Sequence, residues 1–262
     1  MGQSPYTDLE RPPLHEAALR RSLLGGLWTD LRVVAETGST NADVVAQARA
    51  GAPEGLVLVA ERQTAGRGRL GRVWESPARA GIAVSVLLRP DGVDPARYGW
   101  LPLLAGVALV EAVRRVAQVD AVLKWPNDLL VDGRKCAGIL AEMADGAVVV
   151  GIGLNTSLRE PELPHPDATS LALAGAVSAD RDPLLRALLR ALESWYRRWH
   201  DGGAEAVREA YLFHCATLGR EVRAALPDGT EVTGRADGID ADGRLVLSTG
   251  HTLAAGDITH LR

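Results

Sequence analysis

The sequence predicts an α+β fold, in which a large domain with a mixed or largely antiparallel sheet precedes a small C-terminal β-barrel. Residues 1–218 contain both helical patterns and strand-like apolar runs, and Asp-Gly pairs separate neighbouring β-rich runs there. Residues 219–262 consist of short β runs joined by close turns. A chain of 262 residues with 47% hydrophobic residues has enough apolar side chains for both cores.

The first elements alternate between helix and strand. We expect a short amphipathic helix at residues 14–24, a strand at 31–35, and a helix from Thr40 to about Gly51, where Thr40 and Asp43 match a capping box. Buried strands follow in the runs L-V-L-V-A and I-A-V-S-V-L-L. A polar segment rich in glycine and arginine separates them, so a long loop joins these two strands.

A long apolar helix is expected next, at about residues 97–117. The chain then breaks into short strands, with hairpin turns at the Asp-Gly pairs 132–133 and 145–146. The remaining expected elements are helices at about 183–200 and 204–214, and barrel turns at 228–229, 242–243 and 249–250. The predicted domain boundary lies between residues 218 and 219.

Charge and cysteine content exclude several classes of protein. The chain has 29 basic and 33 acidic residues, a net charge of -4, so no general positive field attracts nucleic acid or anionic membrane. Two cysteines, Cys136 and Cys215, make no disulfide framework and fit a reducing compartment. The N-terminus lacks a signal-peptide pattern, and the most apolar stretch contains Pro102 and Glu111. We therefore expect a soluble, cytoplasmic protein.

The segment G-R-G-R-L-G-R at residues 66–72 is the strongest functional signal. It contains the letters of a dinucleotide-binding fingerprint, but no strand leads directly into the glycines and no helix leaves them. It is not a P-loop, because Arg72 and Val73 stand where Lys and Ser or Thr are required. Arg67, Arg69 and Arg72 on a flexible backbone can grip carboxylate or phosphate. A solvated basic loop and a grip on nucleic-acid phosphates remain alternatives.

Three further motifs bring polar residues to the predicted sheet. K-W-P-N-D-L at 124–129 precedes R-K-C-A-G-I-L-A-E, in which Lys135 begins a strand. Such a lysine can stabilise paired anions, or can simply be a surface residue at a strand end. G-I-G-L-N-T at 151–156 presents Asn155, which could contact an adenine edge or cap a turn. S-T-N at 39–41 could cap a helix or hold a polar ligand group.

Taken together and in this order, these motifs resemble those of the biotin protein ligases, also described as biotin-[acetyl-CoA-carboxylase] ligases. The matching segments are E-T-G-S-T-N, Q-T-A-G-R-G-R-L-G-R-V-W, K-W-P-N-D-L, K-C-A-G-I-L-A-E and G-I-G-L-N. The resemblance implies a catalytic domain related to class II synthetase cores at 1–218 and an SH3-like β-barrel at 219–262. About thirty residues precede the first strand, too few for a helix-turn-helix domain, so we expect the short form that does not bind DNA.

The resemblance also implies an activity. Members of this family make biotinyl-5′-AMP from biotin and ATP with Mg²⁺, release pyrophosphate, and transfer biotin to a lysine of a biotin carboxyl carrier domain. Positioning and cations would lower the barrier, because a carboxylate attacks an α-phosphate although both are anionic. The six histidines lack zinc-site spacing, and no dedicated protein site for a metal is expected, so Mg²⁺ would come with ATP. Expected partners are biotin, ATP and the carrier domain, without nucleic acid or membrane, and the protein would be a monomer or weak homodimer.

By the same resemblance, the site residues fall into three groups. The catalytic residues would be Lys135, Arg67 and Arg69. Biotin would be bound by Ser39, Thr40, Asn41, Gln63, Arg67, Gly68, Arg69 and Lys135. ATP and the adenylate would be bound by Arg72, Trp74, Asn127, Asp128 and Asn155. The Gly/Arg loop would order on substrate binding and shield the adenylate from water. The alternatives are a lipoate or octanoate ligase on the same fold and a nucleic-acid-binding regulator.

Overall fold

The computed structural model describes residues 11–226 and 229–261, whose helices and strands are numbered in chain order. The helices are α1 (Glu16–Leu23), α2 (Thr40–Arg49), α3 (Trp100–Val116), α4 (Arg181–Gly202) and α5 (Glu205–His214). The strands are β1 (Asp30–Val34), β2 (Leu56–Ala60), β3 (Gly81–Leu88), β4 (Val122–Lys124), β5 (Asp128–Val131), β6 (Arg134–Ala144), β7 (Ala147–Asn155), β8 (Glu221–Ala225), β9 (Glu231–Ile239), β10 (Leu245–Leu247), β11 (Thr252–Leu253) and β12 (Asp257–His260).

Seven strands form a mixed sheet in the order β1-β2-β3-β7-β6-β5-β4. Strands β1 and β2 run parallel, and the other neighbouring pairs are antiparallel. The Asp-Gly pairs form the expected hairpin turns, because both residues of each pair adopt positive φ: 50° and 75° at Asp132 and Gly133, 48° and 77° at Asp145 and Gly146. The predicted α+β class with a mixed sheet is confirmed.

The two faces of this sheet are covered by different helices. Helices α1, α3 and α4 pack together on one face, where Trp28, Leu104 and Leu188 belong to the main buried cluster. Helix α2 covers part of the other face, where Val44 packs in a second buried cluster with Val149 of β7. Side chains alternate along a strand, so every second residue of β7 after Val149 points to this same face. These residues form the floor of a cleft.

The N-terminus of α2 differs from the sequence expectation. The N-cap is Ser39, which has extended backbone (φ -158°, ψ 125°) and accepts a hydrogen bond from the N–H of Ala42 at 3.4 Å. The capping box predicted for Thr40 and Asp43 is therefore wrong, because Thr40 is already helical. The Asp43 carboxylate instead accepts a hydrogen bond from the Thr37 hydroxyl at 2.5 Å. The side chain of Thr40 is thus free of the capping role.

Helix α3 is the central helix of the main core. Among the described residues, Pro95–Val116 is long and apolar enough to cross a membrane, but 67% of its most apolar window is buried inside the fold. It packs against both the sheet and α4. The neighbouring elements therefore already cover much of its apolar surface.

The C-terminal residues form an antiparallel sheet of five strands in the order β11-β10-β9-β8-β12, which agrees with the small SH3-like barrel expected there. Gly243 and Gly250 adopt positive φ of 81° and 85° in two of the predicted turns. In the third predicted turn, Asp228 lies outside the described residues. The boundary at 218 and 219 stays a prediction, and β8 begins at Glu221.

Two tryptophans attach this sheet to the large domain. The indole N–H of Trp100 donates to the carbonyl of Ala241 at 2.7 Å, and that of Trp125 donates to the carbonyl of Gly243 at 3.2 Å. Apolar residues of the C-terminal sheet also belong to the main buried cluster, including Ile258 of β12. The start of β12 therefore lies at a defined position beside the cleft.

Candidate active site

A cleft of about 550 Å³ lies on the α2 face of the sheet and reaches the C-terminal sheet. It is lined by every residue that the family resemblance implicates: Ser39, Thr40, Asn41, Gln63, Arg67, Gly68, Arg69, Arg72, Trp74, Asn127, Asp128, Lys135 and Asn155. The fold thus brings motifs that are far apart in sequence to one place. Their individual roles in binding and catalysis stay predictions.

The end of the cleft at α2 is polar and uncharged. The backbone N–H and the hydroxyl of Thr40 both lie within hydrogen-bond distance of Gln63 Oε1, at 2.9 and 3.1 Å. Ser39 and Thr40 are buried, and the first turn of α2 directs their backbone toward this end. The arrangement suits a neutral ligand group that both donates and accepts hydrogen bonds.

Asn41 is held by protein groups on both sides of its amide. Its Nδ2 donates to Glu142 Oε2 at 2.8 Å and to the Leu140 carbonyl at 3.2 Å, and its Oδ1 accepts from the Ser85 hydroxyl at 2.6 Å. The sequence motifs predicted no role for Ser85 or Glu142. A single serine in the apolar run I-A-V-S-V-L-L was the available signal, because a buried hydroxyl requires a partner.

The Gly/Arg loop between β2 and β3 folds back on itself. The N–H of Trp74 donates to the carbonyl of Gly66 at 2.9 Å, and the N–H of Gly68 donates to that of Arg72 at 2.6 Å. A Cβ atom at Gly66 would lie 2.3 Å from the Trp74 carbonyl oxygen, so this close approach requires glycine. That the loop orders on substrate binding stays a prediction.

Two loop arginines contact the C-terminal sheet. Arg69 donates from Nη1 to Asn127 Oδ1 at 3.1 Å and to the carbonyl of Gly256 at 3.4 Å. Arg72 forms a two-armed ion pair with Asp257, in which Nη1 lies 3.3 Å from Oδ1. Gly256 and Asp257 carried no sequence signal for this contact, because it depends on how the C-terminal sheet packs beside the cleft.

Burial and ion pairing shift the pKa values of these groups. Burial lowers the pKa of Arg69, and the charges of Asp128 and Asp257 only partly offset it. Burial alone would raise the pKa of Asp257, but the hydrogen bond and charge of Arg72 outweigh it and lower that pKa. The same hydrogen bond raises the pKa of Arg72. The Arg72–Asp257 pair is therefore held in its charged form.

Lys135 lies at the start of β6, where its backbone N–H donates to the Asp167 carbonyl at 2.7 Å. Its Nζ lies 2.6 Å from Asp128 Oδ1 as an ion pair without well-directed hydrogen-bond geometry, and 5.9 Å from the ring centre of Trp74. The β5–β6 hairpin produces this contact by bringing the K-W-P-N-D-L motif beside the next strand. Two motifs that are separate in sequence thus form one charged pair.

The indole of Trp74 fills a slot between two glycines. Gly138 of β6 and Gly153 of β7 are directly paired. A Cβ atom would lie 2.4 Å from the indole at Gly153 and 3.2 Å from it at Gly138. The indole therefore lies against the floor of the cleft. That it lies beside the adenine of ATP stays a prediction.

Two asparagines line the remaining wall and are fixed by backbone carbonyls. Asn127 donates from Nδ2 to the carbonyl of Ile139 at 3.1 Å, and Asn155 donates to that of Thr169 at 2.9 Å. Cys136 lies behind Asn155, and burial raises the pKa of its thiol to about 12, so it is unreactive. Within residues 11–226 and 229–261, no group of three or more His, Cys, Asp or Glu side chains could hold a metal ion.

The fold and the site together define a class of protein. A mixed sheet carries a cleft with a polar, uncharged end, a lysine at the floor and three arginines on a loop. This is the arrangement of an enzyme that joins a carboxylic acid to a nucleotide phosphate, because cations must offset the charge of both reacting anions. Family models match the Biotin/lipoate A/B protein ligase family at residues 36–157 and the Biotin protein ligase C terminal domain at 217–261. The chain belongs to the biotin protein ligase family.

Relatives and solved structures agree with this membership. The chain is 46% identical to the biotin–[acetyl-CoA-carboxylase] ligase of Mycobacterium tuberculosis over 97% of this chain and 98% of the relative. It is 37% identical to the bifunctional ligase/repressor BirA of Bacillus subtilis, over 76% of this chain and 63% of that protein. The biotin protein ligase of Aquifex aeolicus in complex with biotin and ATP has a TM-score of 0.76 and 28% identity, covering 90% of this chain and 100% of that one.

Proposed function

We propose that the cleft is where this ATP-dependent biotin protein ligase activates biotin, and that its second substrate is a lysine of a biotin carboxyl carrier domain. The observation that carries the proposal is the shared cleft, in which the polar end at Thr40 and the Lys135 ammonium line one cavity. A neutral ring at the first position would direct its acid tail toward the second. This placement supports the predicted ligand roles.

In the first step, a carboxylate oxygen of biotin attacks the α-phosphorus of ATP, the bond to the β-phosphate oxygen breaks, and pyrophosphate leaves. Lys135 would release Asp128 and contact the biotin carboxylate and the α-phosphate, which both carry negative charge. Asn127, Asp128 and Asn155 would line the adenylate side. Mg²⁺ would enter with the phosphates of ATP, for which it has high affinity.

The Gly/Arg loop would cover the ligand. Arg67, Gly68 and Arg69 would contact biotin and its adenylate, and Arg72 would exchange Asp257 for a phosphate of ATP. A guanidinium binds carboxylate and phosphate with the same planar fork, so this exchange needs little rearrangement. Closure would exclude water from the mixed anhydride until the carrier amine attacks its acyl carbon and AMP leaves.

We infer a cytoplasmic enzyme that binds neither nucleic acid nor membrane and acts as a monomer or weak homodimer. The net charge of -4 supports the first part, since it provides no general attraction for polyanions. Free thiols at Cys136 and Cys215 support a reducing compartment.

The direct test is incubation of the protein with ATP, Mg²⁺, biotin and a carrier domain, followed by mass spectrometry of the carrier. We expect one biotinylated lysine and release of pyrophosphate. Lipoate offered in place of biotin provides the comparison. A carrier modified with lipoate but not with biotin would instead support a lipoate ligase.

Lys135→Ala tests the chemical step. We expect biotin-dependent ATP–pyrophosphate exchange to fall at least about a hundredfold, since removal of one charge-stabilising donor costs that much in other enzymes. Far-UV circular dichroism should be unchanged. Arg49→Ala removes an exposed cation at the far end of α2 and is the matched control, with exchange expected at the wild-type rate. Exchange by Lys135→Ala at the wild-type rate would contradict the proposed role.

A further inference from the structure

The amide of Asn41 can have only one orientation. Both contacts of its Nδ2, the Glu142 carboxylate and the Leu140 carbonyl, are acceptors without a hydrogen. The opposite orientation would place the amide oxygen against two other oxygens in a buried site, where Asn41 is 4% exposed. Its Oδ1 therefore always faces Ser85 as an acceptor.

The orientation of Asn41 determines that of Ser85. This serine is 0% exposed in the middle of β3, and its Oγ lies 2.6 Å from Asn41 Oδ1 and 2.8 Å from Thr40 Oγ1. Its one hydroxyl hydrogen must go to Asn41, because the amide oxygen has none to give. The Ser85 oxygen then offers only lone pairs to Thr40.

Thr40 in turn has two acceptors available for its own hydrogen, Ser85 Oγ and Gln63 Oε1. Gln63 Oε1 already accepts the backbone N–H of Thr40, which identifies that atom as the amide oxygen. The two hydroxyl oxygens of Thr40 and Ser85 lie 2.8 Å apart and need one hydrogen between them. Because the Ser85 hydrogen goes to Asn41, the Thr40 hydroxyl must donate to Ser85. A ligand in the cleft therefore meets the Thr40 hydroxyl as a hydrogen-bond acceptor, through its free lone pair.

We propose that Glu142, Asn41 and Ser85 are positioning residues, whose hydrogen-bond chain fixes Thr40 as an acceptor and thereby selects an acid whose ring bears N–H groups. This inference rests on the proposed function, in which the neutral ring of biotin, a cyclic urea, lies at the polar end of the cleft beside Thr40. That ring has two N–H groups beside a carbonyl, whereas the acyl chain of lipoate has neither. A site with oriented polar groups rejects a ligand that leaves them unpaired in the bound state.

Two neighbours support the chain. A Cβ atom at Gly151, the strand partner of Ser85, would lie 2.0 Å from Asn41 Oδ1, so glycine provides the space that the Asn41 amide occupies. The second carboxylate oxygen of Glu142 lies 3.7 Å from Arg67 Nη1. The hydrogen-bond chain therefore extends from the Gly/Arg loop to the polar end of the cleft, beneath the ligand position.

Ser85→Ala is the decisive variant, because Ser85 does not line the cleft. Ser170→Ala is the matched control: Ser170 is also 0% exposed, donates to the Leu158 carbonyl at 2.7 Å and accepts from the Leu173 N–H at 3.2 Å, and it does not line the cleft either. The measurements are KM for biotin and for ATP in ATP–pyrophosphate exchange, and Kd for biotin and lipoate by calorimetry.

We expect Ser85→Ala to raise KM and Kd for biotin about tenfold, the effect of one oriented hydrogen bond. In Ser85→Ala, KM for ATP and Kd for lipoate should change less than about twofold. In Ser170→Ala, none of the four constants should change. If Ser85→Ala does not fold, Ser85→Cys has a similar size and a weak donor, and should show a rise of the same sign.

Other results would overturn the inference. Unchanged biotin constants in Ser85→Ala would do so, as would an equal rise in Ser170→Ala or an equal weakening of lipoate. These outcomes are distinct from failure of the proposed function, in which the wild-type protein itself shows no biotin-dependent exchange. In that case the inference falls with it.

Discussion

Two arginine–carboxylate pairs in this molecule differ in how much solvent reaches them. Arg181 and Glu61 are 2.6 Å apart, with side chains 5% and 9% exposed, whereas the side chains of Arg72 and Asp257 are 62% and 39% exposed. A buried guanidinium that loses its partner keeps its desolvation cost, while an exposed one regains water.

We therefore expect Glu61→Ala to lower the free energy of unfolding by about 3–5 kcal/mol. Asp257→Ala should change it by less than about 1 kcal/mol. Urea denaturation at neutral pH measures both changes. Equal losses in the two variants would show that burial does not control the energy of these pairs.

His260 makes stability depend on pH. Burial, with smaller effects from Lys124 and Arg220, lowers its pKa from 6.5 to about 4. Between these values the unfolded chain binds the proton and the folded protein does not, so the free energy of unfolding falls as pH drops from 6.5 toward 4.

Removal of this titration should weaken the pH dependence. For His260→Gln, we expect the loss of stability between pH 7 and pH 4.5 to be smaller by roughly 2 kcal/mol, a value reduced for the partial exposure of the ring. Urea denaturation at the two pH values measures it. His251→Gln replaces an exposed histidine and should keep the wild-type pH dependence. If the loss of stability between pH 7 and pH 4.5 is the same in His260→Gln as in the wild type, His260 is not the group responsible for it.

At the scale of elements, the pairing of β6 with β7 creates the floor of the cleft. The register places Gly138 opposite Gly153, and the Trp74 indole occupies the space that two side chains would fill. The loop and the sheet are therefore coupled through one aromatic ring. A methyl group on this floor should displace the indole.

Gly153→Ala tests this coupling. We expect a change in tryptophan fluorescence in the wild-type background and none in Trp74→Phe, because the added Cβ would overlap the indole at 2.4 Å. Gly238→Ala is the control, since its Cβ would meet no atom within 4 Å. A fluorescence change that persists without Trp74 would contradict this picture.

At the scale of the whole molecule, the two sheets share one buried cluster. Leu104 of α3 and Leu247 of β10 both belong to it, and Trp100 and Trp125 add hydrogen bonds across the junction. Apolar surface buried between two units stabilises each only while the other is folded.

We therefore expect the large and the C-terminal domains to unfold in one transition. In differential scanning calorimetry, the calorimetric and van't Hoff enthalpies should agree. Trp125→Phe, which removes the hydrogen bond to Gly243, should lower the melting temperature without splitting the transition. Two separate transitions in the wild-type protein would indicate that the units are independent.

Much of the site could be predicted, because each motif is a short run of neighbouring residues. The loop arginines, Lys135 and the S-T-N turn were found in this way, and the structure places all of them in one cleft. The contacts of Ser85 and Asp257 could not be found, since their partners lie far away in the sequence, in α2 and in the Gly/Arg loop. Their chemistry depends on register and packing, which no local pattern contains.

The sequence by itself determined the elements: apolar periodicity located strands such as β2, and the Asp-Gly pairs located the hairpins, since both are properties of adjacent residues. It also carried the motifs of the biotin protein ligase family. Only the tertiary structure decided that Asn41 has a single orientation and that the C-terminal sheet contacts the Gly/Arg loop. Those outcomes depend on distances between residues far apart in the chain, which only the packed fold defines.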